Sequence, residues 1–283
     1  MKVSDPIVSA SWLKANLNAP DVRVLDATWV APWTDNNARE TAKRLYSEGH
    51  IPGAQFFDID DIADQNTDLP HMMPSPEKFS SRVRKMGMGD GNRIVVYDRG
   101  NFMASARVWW MFRAMGHSDI VVLDGGWNAW LSVGGAVEDM PPVQSDRHFT
   151  VRVQNHLIKN YAQVCSLKDN PNVVVLDARP EPRFSGRDPE PRPGLKSGHI
   201  PGSKNLPLNS LVTPDGLLKS ADELRTIFKF VEDDDYVVAT CGSGVSAAVI
   251  VLALQRLGRD DVALYDGSWT DYASRPDAVI AAS

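Results

Sequence analysis

The chain is poor in cysteine, in excess basic charge and in unbroken apolar runs. Its 283 residues include two cysteines, Cys165 and Cys241, too few for a disulfide framework or a cysteine-rich zinc site. Lys and Arg number 30 against 36 Asp and Glu, a formal net charge of -6. That balance gives no general electrostatic pull towards nucleic acid or an anionic membrane. The opening MKVSDPIVSA carries one Lys and then an early Asp and Pro, with no apolar core of the length a secretion signal needs. From Tyr236 to Gln255 no residue is charged, but Thr240, Cys241, Gly242, Ser243, Gly244 and Ser246 interrupt the stretch. A strand, a loop and a buried helix suit it better than a membrane span. The expectation is a cytoplasmic protein in a reducing compartment, with no membrane or nucleic-acid partner. What is present is ordinary globular composition, 43% hydrophobic and 23% charged, at a length that suits one large domain or two smaller ones.

The chain repeats itself. VRVLDATW at Val22–Trp29 is answered by VVVLDAR at Val173–Arg179, and SEGHIPGAQFFDI at Ser47–Ile59 by KSGHIPGSKNLPL at Lys196–Leu208. RIVVYD at Arg93–Asp98 is answered by DYVVAT at Asp235–Thr240, and LDGGW at Leu123–Trp127 by YDGSW at Tyr265–Trp269. Four blocks in one order point to a tandem duplication. Val-rich strands are common to all α/β chains, but the paired GHIPG is not. Each half alternates short β-branched runs with helical patterns, which predicts parallel strands joined by right-handed crossovers with helices on both faces. Ser105–Met115 and Val245–Leu257 read as partner helices, stopped by Gly116 and Gly258. The expected division is a first domain over 1–140, a linker over 141–156 containing Pro141 and Pro142, and a second domain over 157–283. His50 and His199 recur in both copies, so the GHIPG segments read as structural turns built on Pro52, Gly53, Pro201 and Gly202. Asp26 and Asp177 recur likewise and read as braces at strand ends.

The most informative piece is YVVATCGSGVS, Tyr236–Ser246, leading into the second helix. Ligands of parallel α/β sheets collect at the carboxyl ends of strands, and Cys241 stands there. Gly242 and Gly244 allow the backbone to curl so that successive N–H groups form a nest, and the helix start adds the positive end of its dipole. Both favour negative charge at the loop centre. A thiol so placed is expected to have a depressed pKa and to act as a nucleophile. The plainer alternative is a packed core cysteine, and Cys165, in the helical pattern YAQVCSLK, is read that way. A tyrosine-phosphatase loop would place Arg at position 247, where this chain has Ala. A P-loop would need a Lys that is absent. A cysteine protease stays open, without a local pattern in its favour.

Two halves each bearing GHIPG, the second carrying C-G-S-G-V-S between a VVAT strand and a helix, resemble the tandem-domain rhodaneses over nearly the whole chain. The likeness is greatest to the 3-mercaptopyruvate sulfurtransferases, whose loop reads C-G-S-G-V-T; Ser246 departs from the final Thr but keeps the hydroxyl. Thiosulfate sulfurtransferases typically carry C-R-K-G-V-T, with two basic residues where this chain has Gly242 and Ser243. The resemblance implies an α/β fold of two rhodanese-like domains, each a parallel sheet flanked by helices, the first without a catalytic cysteine. It implies sulfur transfer from 3-mercaptopyruvate through a Cys241 persulfide to a thiol, a thioredoxin-like dithiol or cyanide, with release of pyruvate and no metal or organic cofactor. The alternatives are a thiosulfate donor, or a non-catalytic persulfide carrier or thiol sensor that serves a partner protein.

The resemblance also implies site residues. Asp177–Gly194, DARPEPRFSGRDPEPRPG, holds Arg179, Arg183, Arg187 and Arg192. By motif position the donor-binding pair falls on Arg183 and Arg192, and an Arg fork suits a carboxylate. The plainer alternative is a solvated loop whose arginines pair with Glu181, Asp188 and Glu190. Arg179 reads as a brace, and Arg187 has no clear assignment. In the first domain the family carries an acid and a histidine that form a hydrogen-bonded relay with the loop serine; the matching positions are Asp60, His71 and Ser243, with Asp58 a neighbouring acid. Gly242, Gly244, Val245 and Ser246 are expected to line the substrate site through the loop. If the relay forms, the site lies between the domains.

Overall fold

The computed structural model of the chain describes residues 5–282 apart from Asn101 and Gln144. Strands β1 (Ile7–Val8), β2 (Val22–Asp26), β3 (Gln55–Phe56), β4 (Arg93–Tyr97) and β5 (Ile120–Leu123) form one sheet, in the order β1-β5-β4-β2-β3. Strands β6 (Ile158–Lys159), β7 (Val173–Asp177), β8 (Lys204–Asn205), β9 (Tyr236–Thr240) and β10 (Ala263–Tyr265) form a second, in the order β6-β10-β9-β7-β8. Every pairing is parallel. The second order is the first one repeated, so the duplication seen in sequence is a duplication of topology. The central strands are the β-branched runs. Ile94–Tyr97 and Val237–Thr240 are buried at every position, as parallel strands covered on both faces require. The edge strands β1, β3, β6 and β8 have two residues each, too few to show a period.

The helices Met103–Ala114 and Ala247–Arg256 occupy the two positions expected for partner helices. Each ends before a glycine in the left-handed region, Gly116 at φ 93 and Gly258 at φ 91, where a side chain would be strained. Neither has a polar face: nearly every residue of both is buried. A helix apolar all round must be covered all round. These two are covered by their own sheets and by each other, so one hydrophobic cluster runs through both halves, from Trp109 and Trp110 to Val249 and Ile250. The second helix starts at Ala247 because Val245 and Ser246 belong to the turn of the cysteine loop.

We propose the domain boundary within 141–156. That segment lies against the first half: Phe149 is buried, and the N–H groups of Arg152 and Gln154 donate to the carbonyls of Met115 and Ala114 at 2.9 and 2.7 Å. The GHIPG turns are built alike. His50 Nδ1 lies 2.9 Å from the Tyr46 carbonyl with its ring stacked on Tyr46, and His199 Nδ1 lies 2.9 Å from the Phe184 carbonyl with its ring stacked on Phe184. Among the described residues no helix is long and apolar enough to cross a membrane.

Candidate active site

Cys241 follows directly on β9, at the carboxyl end of the second sheet. The loop after it is pinned from outside by its carbonyls. Those of Cys241 and Gly242 accept the N–H groups of Trp269 and Thr270, each at 2.9 Å, and that of Gly244 accepts from Arg107. Cys241 N–H donates to Ser268 Oγ at 3.1 Å. The N–H groups of Gly242, Ser243, Gly244, Val245 and Ser246 have no protein acceptor among the described residues. A curled backbone with committed carbonyls and uncommitted N–H groups, at the start of a helix, can receive an anion. Gly244 sits at φ +77, and a methyl group on it would come 2.7 Å from the Asp266 carbonyl oxygen. Only glycine fits there.

Cys241 is 2% exposed, yet it lines a cavity of about 430 Å³ together with Gly242, Ser243, Val245, Ser246 and both candidate arginines. The two facts agree: the side chain is at the floor of the cavity, open to a small molecule and closed to bulk solvent. Gly242, Val245 and Ser246 thus line the cavity directly, while Gly244 shapes the turn beneath it. Cys165 packs, half-buried, against the core of the second half, among the partly buried neighbours of Val164, Tyr265 and Tyr272.

The arginines of the proline-rich loop divide into distinct jobs. Arg179 is buried, bonded to Asp177 through Nη2 at 2.7 Å, to Glu190 through Nη1 at 2.7 Å and to the Gly198 carbonyl at 2.8 Å. It braces the loop. Arg187 is exposed and pairs with Glu181. Arg183 and Arg192 both face the cysteine loop: a methyl group on Gly242 would come 3.4 Å from Arg183 Nη2 and 3.5 Å from Arg192 Nη1. They differ in their partners. Arg183 is held by Glu190 at 2.5 Å, the ion pair a solvated loop would also have supplied. Arg192 has no carboxylate partner among the described residues; its Nη2 donates to Ser243 Oγ at 3.0 Å and its guanidinium lies 5.1 Å from the ring centroid of Trp33. Burial, with neighbouring Arg183, lowers its pKa against the raising effect of nearby Cys241, Glu190 and Asp60. A partly desolvated cation with no directly paired carboxylate among the described residues can receive an anionic group.

The first half reaches the loop through Ser243. His71 Nδ1 lies 2.9 Å from Ser243 Oγ, and His71 Nε2 lies 3.1 Å from Asp60 Oδ1. Asp60 Oδ2 also accepts from Trp29 Nε1 at 3.2 Å. Burial works to raise the Asp60 pKa, but the hydrogen bond and charge of His71, the Trp29 N–H and the charge of Arg39 together hold it below the ordinary carboxylate value. Asp58 is elsewhere engaged: it caps the helix Ile59–Ile62 and pairs with Arg39 at 2.7 Å. The structure therefore brings Asp60, His71, Ser243, Cys241, Arg183 and Arg192 into one place.

Several residues at the site carry no motif. Trp29, Trp33 and Met103 from the first half line the cavity. Glu190 anchors two arginines. Ser268, at φ 49, receives the N–H of Cys241. Arg107 is fully buried and crosses between the halves. An arginine among the largely apolar residues of Ser105–Met115, which also hold Arg113, is the one signal that could have flagged it, since a buried cation demands partners. In the first half the register pairs Asp26 with Tyr97 as Asp177 pairs with Thr240, so Asp98 stands where Cys241 stands. Its carboxylate accepts the N–H groups of Gly100 and Ser105 at 2.9 and 2.8 Å, and this copy of the loop has a fixed carboxylate in place of a thiol.

A model of the rhodanese-like domain matches residues 9–133 and again 161–275. The 3-mercaptopyruvate sulfurtransferase of Escherichia coli (strain K12) is 37% identical over 272 residues, covering 95% of this chain and 95% of that protein. A thiosulfate sulfurtransferase of Cricetulus griseus is 39% identical over 275 residues, covering 94% of this chain and 91% of that protein. The crystal structure of SseA from Escherichia coli matches with a TM-score of 0.85 at 34% identity, covering 94% of this chain and 99% of that chain.

Proposed function

The chain belongs to the rhodanese family as a tandem-domain sulfurtransferase, and on that premise we propose that it takes sulfur from 3-mercaptopyruvate, holds it as a persulfide on Cys241 and passes it to a thiol. The observation that carries this reading is the meeting of a guanidinium without a carboxylate partner among the described residues, Arg192, with the Ser243–His71–Asp60 chain beside one buried thiol. The sulfur of Cys241 bonds to the donor sulfur. The donor's carbon–sulfur bond breaks, its electron pair stays on the methylene carbon, and pyruvate leaves as the enolate. The proton displaced in forming the persulfide ends on that carbon, which becomes the methyl group of pyruvate. Sulfur is oxidised as carbon is reduced, so the step needs no external redox partner and no cofactor. Arg192, with Arg183 beside it, grips the donor carboxylate. Ser243, oriented by His71 and Asp60, moves the proton. The uncommitted loop N–H groups hold the persulfide anion between half-reactions.

In the second half-reaction an acceptor thiol takes the outer sulfur, and Cys241 returns to its thiol form. A thioredoxin-like dithiol suits this step, and cyanide serves in an assay. A free catalytic thiol suits the reducing cytoplasm.

Overall identity does not choose the donor, since relatives named for mercaptopyruvate and for thiosulfate stand at 37% and 39%. The loop supports mercaptopyruvate: a dianion such as thiosulfate is better served by basic residues than by neutral Gly242 and Ser243. The deciding experiment compares kcat/KM for the two donors and weighs the protein by mass spectrometry after donor alone. The expected result is a clear preference for mercaptopyruvate and a mass gain of one sulfur atom that maps to Cys241. A preference for thiosulfate would move the protein to the second reading. Slow turnover with every small donor, beside rapid sulfur exchange with one protein, would make it a carrier.

A further inference from the structure

Arg107 lies in the middle of the helix Met103–Ala114 and is 0% exposed. A cation so deeply enclosed is costly unless it is paired and hydrogen-bonded. Its Nη2 donates to Asp266 Oδ1 at 2.7 Å and to the backbone carbonyl of His71, and its Nη1 donates to the backbone carbonyl of Gly244 at 3.2 Å. Asp266 Oδ2 in turn accepts the N–H of Met73 at 2.7 Å. One ion pair therefore grips the chain on both sides of the His71–Met73 step and also the loop that carries Cys241. The remaining face of the guanidinium rests on the Trp110 ring, 4.6 Å from its centroid.

Both gripped carbonyls belong to residues in the left-handed region, His71 at φ 62 and Gly244 at φ +77. Glycine adopts this conformation freely; for histidine it is uncommon and persists where surrounding contacts over-determine it. Around His71 those contacts include the Arg107 bond to its carbonyl and the Asp266 bond to the Met73 N–H. The backbone they hold is the one from which the imidazole reaches Ser243 on the other half of the molecule.

We propose that Arg107 is a positioning residue for sulfur transfer: paired with Asp266, it fixes the register between the His71 ring and the Ser243 hydroxyl by holding the backbones of His71 and Gly244 together. This rests on the relay in the proposed function. Arg107 does not line the cavity, so it acts through His71 and the loop.

A double-mutant cycle tests it. kcat/KM for 3-mercaptopyruvate is measured for the wild type, Arg107→Lys, His71→Ala and the double variant, with thermal melting of each alongside. Misplacing a catalytic group by about 1 Å can cost on the order of 100-fold. Arg107→Lys should therefore lower kcat/KM by about 10- to 100-fold, mainly through kcat, when His71 is present. With His71 replaced, the same change should cost several-fold less, because one of the two groups it holds is gone and only its grip on the Gly244 loop remains. Equal losses in both backgrounds would mean that Arg107 does not act through His71, and would overturn the proposal while leaving the relay intact; an accompanying drop in melting temperature would assign the loss to the fold, an unchanged one to the Gly244 loop. No loss in His71→Ala would overturn the relay and the positioning role together. If Arg107→Lys does not fold, Asp266→Asn replaces it in the cycle. An amide there leaves either Arg107 or the Met73 N–H facing another donor, and the same non-additive pattern is expected.

Discussion

Nδ1 of His71 and Oγ of Ser243 lie 2.9 Å apart across 172 positions of sequence. The hydroxyl also receives Arg192 Nη2 at 3.0 Å, so it stands between the proposed relay and the proposed donor grip. Replacing Ser243 by Ala should leave the fold unchanged and lower kcat/KM with mercaptopyruvate by about 100-fold, the scale of one general acid–base contribution. Steady-state kinetics on the purified variant checks this; full activity would take Ser243 out of the chemistry.

Arg183 and Arg192 should not be equivalent. Arg183 is shared with Glu190, whereas Arg192 has no acidic partner among the described residues. Losing a charge-assisted hydrogen bond costs about 1.5–3 kcal/mol, roughly 10- to 100-fold in affinity. Arg192→Ala should raise KM for mercaptopyruvate by that factor, and Arg183→Ala by less. The reverse ranking would make the Glu190-tethered guanidinium the principal grip.

Gly244→Ala should inactivate the protein. The residue sits at φ +77, and the added methyl would meet the Asp266 carbonyl oxygen at 2.7 Å. The loop must then move, taking its N–H groups away from the sulfur. Gly53→Ala is a control, since its methyl meets nothing within 4 Å although φ is +77 there as well. Retained activity in Gly244→Ala would show that the curl of the loop is dispensable.

Asp60 predicts an acid dependence of stability. Its carboxyl is held below the ordinary value of 3.8 by His71 and Trp29, against the effect of burial. A group whose pKa is depressed on folding stabilises the native state above its unfolded pKa and loses that contribution as pH falls through the folded one. The side chain is 37% exposed, so water screens the interaction and the effect is modest. The urea midpoint of the wild type should exceed that of Asp60→Asn by a constant margin above about pH 5, and the margin should shrink below about pH 4. A margin unchanged down to about pH 2.5 would show that the ionised carboxylate is not the stabilising form.

The repeated blocks, the central strands and the two apolar helices could be read directly, because each is a local pattern of four to a dozen residues. Cys241 could be read because its glycines and the helix behind it are its neighbours in sequence. Asp60 could be told from Asp58 only by family motif; in space the choice is plain, since one meets His71 and the other caps its own helix. Glu190 was visible as an acid near arginines, but not that it would occupy Arg179 and Arg183 and leave Arg192 unpaired by any carboxylate.

Composition and local order along the chain were thus enough to establish a duplicated α/β architecture and to mark one thiol as the candidate nucleophile. Which side chains surround that thiol was settled by docking. The helices Met103–Ala114 and Ala247–Arg256 have no polar face and must bury against each other, and that burial brings Trp29, Trp33, Asp60, His71 and Arg107 to a loop more than a hundred positions away. Contacts of that range arise from the shape of two packed halves. No short window of sequence contains both partners, so the pairing of Arg107 with Asp266 exists only once the chain has folded.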